Sequence, residues 1–152
     1  MGTKFLAADP ALCIGCHTCE LVCSYKKENV FNPKKARIKA VSIPPLTSAQ
    51  ACRLCKPAPC LIKCPRRAIT QDEKTLVIKI NEDKCDGCGW CVEACEFGAM
   101  SMHLDRKKAF VCDLCDGKPA CLEFCPTKAI DFVSEEELAR KVQSAFSIVK
   151  GV

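Results

Sequence analysis

The sequence predicts a small α+β fold in which cysteine-rich loops alternate with short strands and helices, and one longer helix closes the chain. Three observations predict it. Sixteen cysteines among 152 residues fall into four compact groups. The stretches "CPRRAI" (64–69), "CEFGAM" (95–100) and "CPTKAI" (125–130) are copies of one loop-then-strand unit. A C-terminal segment carries apolar residues at helical spacing behind a capping signal.

Each group ends in C-x3-C. Group one is Cys13, Cys16, Cys19 and Cys23, and group three is Cys85, Cys88, Cys91 and Cys95; both read C-x2-C-x2-C-x3-C. Group two, Cys52, Cys55, Cys60 and Cys64, has four residues between its second and third cysteines. Group four, Cys112, Cys115, Cys121 and Cys125, has five. Cys64 and Cys125 are followed by proline, whereas Ser24 and Glu96 follow the other two terminal cysteines. The stretch Thr18–Lys27 reads as a helix. The linkers carry strand signals at Arg37–Ile43 and Thr75–Ile80, and residues 99–104 and 107–111 flank Asp105-Arg106 as a hairpin. Pro44-Pro45 with the three residues after it is the best candidate for a linker. Ser134 and Glu137 form a capping box, followed by Leu138, Val142, Ala145, Phe146 and Val149 on one helical face. This helix either packs on its own chain or docks a partner.

Cysteine at about one residue in ten leaves three broad readings: a disulfide scaffold, structural zinc, or iron–sulfur clusters. The apolar fraction of 49% falls to roughly 38% without Cys, so the side-chain core is thin and something else must help hold the fold. No run is long and apolar enough for a membrane span. Met1–Pro10 lacks a secretory pattern, and Arg66-Arg67 is internal, so a cytoplasmic location is expected. Thiols stay reduced there, which argues against disulfides.

The spacing selects among the metals. Three thiolates on a short loop can wrap one face of a cubane, while the fourth, three residues on, is better placed for a different cluster. Zinc prefers two C-x2-C knuckles a dozen or more residues apart. Four complete runs therefore point to four [4Fe–4S] clusters. Spacing alone leaves open which groups pair.

The runs "CIGCHTCELVC" (13–23), "CRLCKPAPCLIKCP" (52–65), "CDGCGWCVEAC" (85–95) and "CDLCDGKPACLEFCP" (112–126) resemble the four-cluster iron–sulfur subunits of molybdenum and tungsten oxidoreductases, the family of the dimethyl sulfoxide reductase electron-transfer subunit. The likeness covers residues 1–133 and is nearest to short cytoplasmic forms that accompany tungsten aldehyde:ferredoxin oxidoreductase-type enzymes, hydrogenases or carbon monoxide dehydrogenase. It implies two nested ferredoxin-like units, each with two clusters: an outer unit of residues 1–43 and 112–133, an inner unit of 44–111, and a C-terminal helix over 134–152. It also implies four ligand sets: Cys13, Cys16 and Cys19 with Cys125; Cys112, Cys115 and Cys121 with Cys23; Cys52, Cys55 and Cys60 with Cys95; and Cys85, Cys88 and Cys91 with Cys64. The implied role is an electron-transfer subunit, with no catalysis of its own, between a tungstopterin or molybdopterin catalytic subunit and ferredoxin or another acceptor. A free-standing polyferredoxin and a zinc-binding interaction protein are the alternatives.

The formal charge of +5 would suggest an anionic partner. Sixteen thiolates and four oxidised cores change it by about −8, to near −3, so the lysines compensate anionic clusters and a nucleic-acid partner loses its support. Lys26, Lys27, Lys34 and Lys35 form a basic cluster that reads as a solvated face, with partner docking the alternative. His17, inside a cysteine loop, is not needed as a ligand, and His103 reads as a surface residue. Trp90 either shields a metal site or simply packs. No dinucleotide or phosphate-binding motif, nor a C-x3-C-x2-C run, is present.

Overall fold

The computed structural model describes residues 3–150, with side chains as far as Ser147. The expected α+β architecture with a C-terminal helix is found. Strand β1 (Phe5–Ala8) is buried along its whole length, which suits its uninterrupted apolar sequence FLAA. It lies inside an antiparallel sheet of order β2-β3-β1-β8, where β2 is Lys39–Ile43, β3 is Leu46–Gln50 and β8 is Ile130–Val133. Phe5 faces Val133 and Ala8 faces Ile130, so the strand entering group one is paired with the strand leaving group four.

Two further hairpins repeat this arrangement. β4 (Ile69–Gln71) leaves group two and pairs with β5 (Ile78–Ile80), which leads into group three; β6 (Ser101–Met102) and β7 (Ala109–Phe110) connect groups three and four. The equivalence extends to single bonds. Asp9, four residues before Cys13, donates its N–H to the Ala129 carbonyl at 2.8 Å. Asn81, four residues before Cys85, does the same to Ala68, also at 2.8 Å. Helix α1 (Thr18–Glu28) packs against α4 (Ala120–Glu123), and α2 (Pro59–Lys63) against α3 (Trp90–Glu93).

Pro44-Pro45 is not a linker. It is the two-residue turn of the β2–β3 hairpin, with Ile43 opposite Leu46. β3 then joins β1 through Gln50 and Ala7, so the expected boundary at 43/44 falls inside a hairpin of the four-stranded sheet. Proline suits such a turn because it fixes φ and its missing N–H is not needed.

Helix α5 (Glu135–Lys150) starts as the capping box required: the Ser134 N–H donates to Glu137 Oε2 (2.8 Å), and the Glu137 N–H donates to Ser134 Oγ (3.2 Å). Lys141 reaches Asp9 at 3.0 Å and Lys4 reaches Glu137 at 3.6 Å, tying the helix to the N-terminal segment. Ala145 is buried, Leu138 packs on the core, and Phe146 is exposed. Val149 lies outside the described side chains.

The core is thin in aliphatic side chains, with Phe5, Leu6, Ile38, Leu54 and Ile78 its largest fully buried members. Cys19, Cys23, Cys52, Cys60, Cys91, Cys112 and Cys121 belong to the same buried cluster. The hydrophobic core and the cysteine sites are therefore one continuous interior.

Candidate metal centres

All four loops make the same backbone turn. The residue before the second cysteine has positive φ in every group: Gly15 (65°), Leu54 (54°), Gly87 (78°) and Leu114 (57°). A left-handed residue at this point helps turn successive N–H groups toward one concave face, which favours an anion; in group four the left-handed run continues through Cys115, Asp116 and Gly117. At Gly87 glycine is also a steric necessity, because a Cβ would stand 2.2 Å from the Lys107 carbonyl oxygen.

The fourth cysteines share a second device. Three residues after Cys64, Cys95 and Cys125, the chain again has positive φ, at Arg67, Gly98 and Lys128. Their N–H groups close turns onto the cysteine carbonyls at 3.1–3.2 Å. The next residue, always a buried alanine, then faces the sulfur. The Ala68 N–H donates to Cys64 Sγ at 3.4 Å and the Ala99 N–H to Cys95 Sγ at 3.3 Å. Cys125 is approached by the N–H groups of Ile130, Ala129 and Thr127. The copies seen in the sequence are therefore sulfur-solvating turns.

Group one departs from this. With Ser24 in place of proline, α1 runs on to Glu28; fully buried Ser24 donates Oγ–H to the Leu21 carbonyl (2.9 Å) and accepts the Asn32 N–H (3.1 Å). Cys23 Sγ then takes its N–H from Arg37, at 3.2 Å. Glu96 also replaces proline, yet group three makes the ordinary turn, with Gly98 supplying the positive φ.

The structure brings cysteines of different groups together. Cys13, Cys16, Cys19 and Cys125 line one cavity; Cys85, Cys88, Cys91 and Cys64 line a second; Cys52, Cys55, Cys60 and Cys95 line a third. Cys23 lies among Cys112, Cys115 and Cys121, close enough for charge on one to raise the pKa of another. Of the sixteen thiols, Cys16 and Cys88 are exposed.

Burial pushes the thiols up: Cys19 and Cys112 to about 12, Cys52 and Cys91 to about 11, and Cys121, Cys23, Cys55 and Cys60 in the same direction. At Cys125 burial acts the same way, but its backbone N–H donors outweigh it and the thiol is lowered. Buried thiols of this kind ionise when a positive centre arrives to share them, which is what a metal cluster provides. Two buried side-chain atoms among those described lack any partner, Arg37 Nε and Arg53 Nε, and Arg53 lines the third cavity. Thiols around a shared space, N–H groups aimed at sulfur and an orphaned N–H beside them all fit an iron–sulfur cluster.

Several residues behave differently from their sequence reading. His103 is not at the surface: it is 4% exposed, its Nδ1 accepts the N–H groups of Asp105 and Arg106 (3.2 Å each), and its Nε2 donates to Glu28 at 3.2 Å. Glu28 also holds Arg106 at 3.0 Å, and Arg37 bridges Glu28 to Asp113. Lys27 and Lys35 are not free either, pairing with Asp113 at 2.7 Å and Asp105 at 2.5 Å. Trp90 is 57% exposed and does not pack into the interior. His17 borders the first cavity and its Nδ1 lies 2.6 Å from buried Glu20, whose other oxygen accepts the Ala40 N–H. Glu20 and Arg53 went unnoticed because each stands between cysteines and gives no signal of its own.

A ferredoxin-like arrangement of paired helices and hairpins around shared cysteine cavities defines an iron–sulfur protein of the electron-carrier type. A family model described as a 4Fe-4S dicluster domain matches residues 45–135, and a 4Fe-4S binding domain matches residues 10–26; together they span every cysteine. The chain belongs to this 4Fe-4S ferredoxin-type family. It is 38% identical to the putative electron transport protein YsaA of Escherichia coli, covering 90% of this chain and 94% of that one. It is 37% identical to the polyferredoxin-like subunit of the aliphatic sulfonate oxidoreductase of Pyrococcus furiosus (76% and 68% covered), and 34% identical to the electron transport protein HydN of E. coli (89% and 90%). A chain of the active site complex BamBC of benzoyl coenzyme A reductase shares the fold, with a TM-score of 0.50, 22% identity and 95% of this chain and 89% of that one covered. Among the described residues, no helix is long and apolar enough to cross a membrane.

Proposed function

We propose that the chain holds four [4Fe–4S] clusters and relays electrons as a cytoplasmic subunit between a tungsten or molybdenum catalytic chain and ferredoxin or another acceptor. The observation that carries the cluster count is the gathering of thiols across groups, three from one loop and the fourth from another. The ligand sets are Cys13, Cys16, Cys19 with Cys125; Cys112, Cys115, Cys121 with Cys23; Cys52, Cys55, Cys60 with Cys95; and Cys85, Cys88, Cys91 with Cys64. The packing of α1 on α4 and α2 on α3 supports an outer and an inner unit, with the β2–β3 hairpin assigned to the outer one.

When bound, such clusters supply one-electron redox centres. The chain's own residues bury the thiols, aim N–H groups at the fourth sulfur of each set, and balance the charge with nearby cations. Exposed Cys16 and Cys88 bring two of the sets to the surface, beside Ile14 and Trp90, and these loops are where electrons enter and leave. The catalytic partner is supported by the relative that is a subunit of a sulfonate oxidoreductase.

Anaerobically purified protein should contain about 16 iron and 16 sulfide per chain; stoichiometric zinc without sulfide would refute the cluster reading. Native purification should yield a complex with a larger chain containing tungsten or molybdenum. A chain that elutes alone, fully loaded, would instead make it a free-standing polyferredoxin.

A further inference from the structure

Arg53 stands between Cys52 and Cys55 and borders the cavity they share with Cys60 and Cys95. Its guanidinium lies over two aromatic faces, 4.3 Å from the Phe5 ring centre and 4.8 Å from that of Phe97. Aromatic faces hold a cation in place without neutralising it. Among the described residues it has no carboxylate partner; Glu135 borders the same cavity without forming an ion pair. Its Nε–H is buried and has no acceptor.

Arg37 provides the contrast. Its Nε is orphaned too, but its guanidinium is ion-paired, to Asp113 at 3.1 Å and Glu28 at 3.8 Å, carboxylates it shares with Lys27 and Arg106. Arg53 therefore carries both an unused donor and a charge with no ion-pair partner at one thiol-lined cavity, where Glu135 acts on it only from a distance. A buried N–H without an acceptor is costly, so a site that keeps one implies an acceptor when complete. The acceptors that the cavity's chemistry supplies are sulfurs.

We propose that Arg53 donates its Nε–H to a sulfur of the cluster held by Cys52, Cys55, Cys60 and Cys95, and that its positive charge raises the reduction potential of that cluster. The inference rests on the four-cluster reading above. One electron arriving from a neighbouring redox centre adds one negative charge at this cavity and no proton, and Arg53 stabilises that added charge. Arginine suits the position because its planar group can sit over both rings while keeping an N–H edge free.

The test is an EPR-monitored redox titration of the full, cluster-loaded chain. Arg53→Met, which fills a similar volume without charge or donor, should lower one midpoint potential by at least a tenfold change in the reduction equilibrium, about 59 mV for one electron. The signal that moves should be the one that Cys95→Ser perturbs, and the others should stay in place. Arg53→Lys keeps a charge but loses the stacked Nε–H edge, and should lower the same midpoint by about twofold in equilibrium. Unchanged potentials in a fully loaded Arg53→Met protein would overturn the inference. Should that variant fail to load, an unchanged midpoint in Arg53→Lys would overturn it equally. Absence of clusters from the wild-type protein would instead bring down the reading beneath it, before any Arg53 variant is compared.

Discussion

Groups one and three differ from groups two and four in more than spacing. All four loops need a left-handed residue before the second cysteine. Groups one and three use Gly15 and Gly87, and their second cysteines, Cys16 and Cys88, are exposed. Groups two and four use Leu54 and Leu114, both buried, and their second cysteines are only partly accessible. A left-handed leucine costs about 1–2 kcal/mol in backbone energy, and full burial of its side chain contributes about 1.5–3 kcal/mol. The same turn can thus be made by a residue with no side chain, at the surface, or by a large apolar one that sinks the loop into the core. The residue at this one position separates surface loops from interior loops.

Removing iron altogether should have the largest effect, because the cysteine cavities and the aliphatic core are one interior. Chelation under reducing conditions should abolish cooperative unfolding as followed by calorimetry. An apo chain that melts cooperatively at the holoprotein's temperature would break the claim that the two are inseparable. Leu54→Ala should come next, losing about 2–5 kcal/mol in denaturant titration, since it keeps the backbone cost and gives up the burial. A loss below about 1 kcal/mol would mean that the leucine loop is not anchored by its side chain.

The glycine loops sharpen the comparison from the other side. Gly87→Ala places a Cβ against the Lys107 carbonyl and should destabilise more than Gly89→Ala, where φ is also positive (82°) but nothing lies within 4 Å. The second change should cost only about 1 kcal/mol. Equal losses would show that φ, not close approach, governs the group-three loop.

The smallest expected effect is on acid stability, in the polar network joining α1 to the group-four loop. Burial works against charge at Glu28 and Asp113. Hydrogen bonds from His103 and Arg106 nevertheless hold Glu28 below the usual carboxylate range, and Lys27 with Arg37 does so for Asp113. Depressed folded-state values mean the stabilisation is present above the unfolded values of about 4 and is lost as pH falls through the lower folded ones. Asp113→Asn should flatten that acid limb, and an unchanged slope below pH 4 would contradict the assignment.

Much of this was legible in the sequence because it is local. Cysteine spacing, the loop copies after Cys64, Cys95 and Cys125, the helix after Cys16, the 99–111 hairpin and the Ser134–Glu137 box are all short-range signals. What was missed depends on distant partners. β1 has no alternation because it is buried on both faces, and β3 (LTSAQ) is polar enough to pass for a loop after two prolines. His103 is buried and paired with Glu28, 75 residues away. Arg53 is defined by Phe5 and Phe97, which nothing in its own neighbourhood announces.

The central claim is that each cluster takes three cysteines from one group and its fourth from another, with groups one and four exchanging and groups two and three exchanging. A crystal structure of the anaerobic holoprotein, with the iron located by anomalous scattering, tests it most directly. The account predicts four clusters, with Cys23 Sγ bonded to the one held by Cys112, Cys115 and Cys121, and Cys125 Sγ to the one held by Cys13, Cys16 and Cys19. Cys23 bonded to the cluster of Cys52, Cys55 and Cys60 would contradict it.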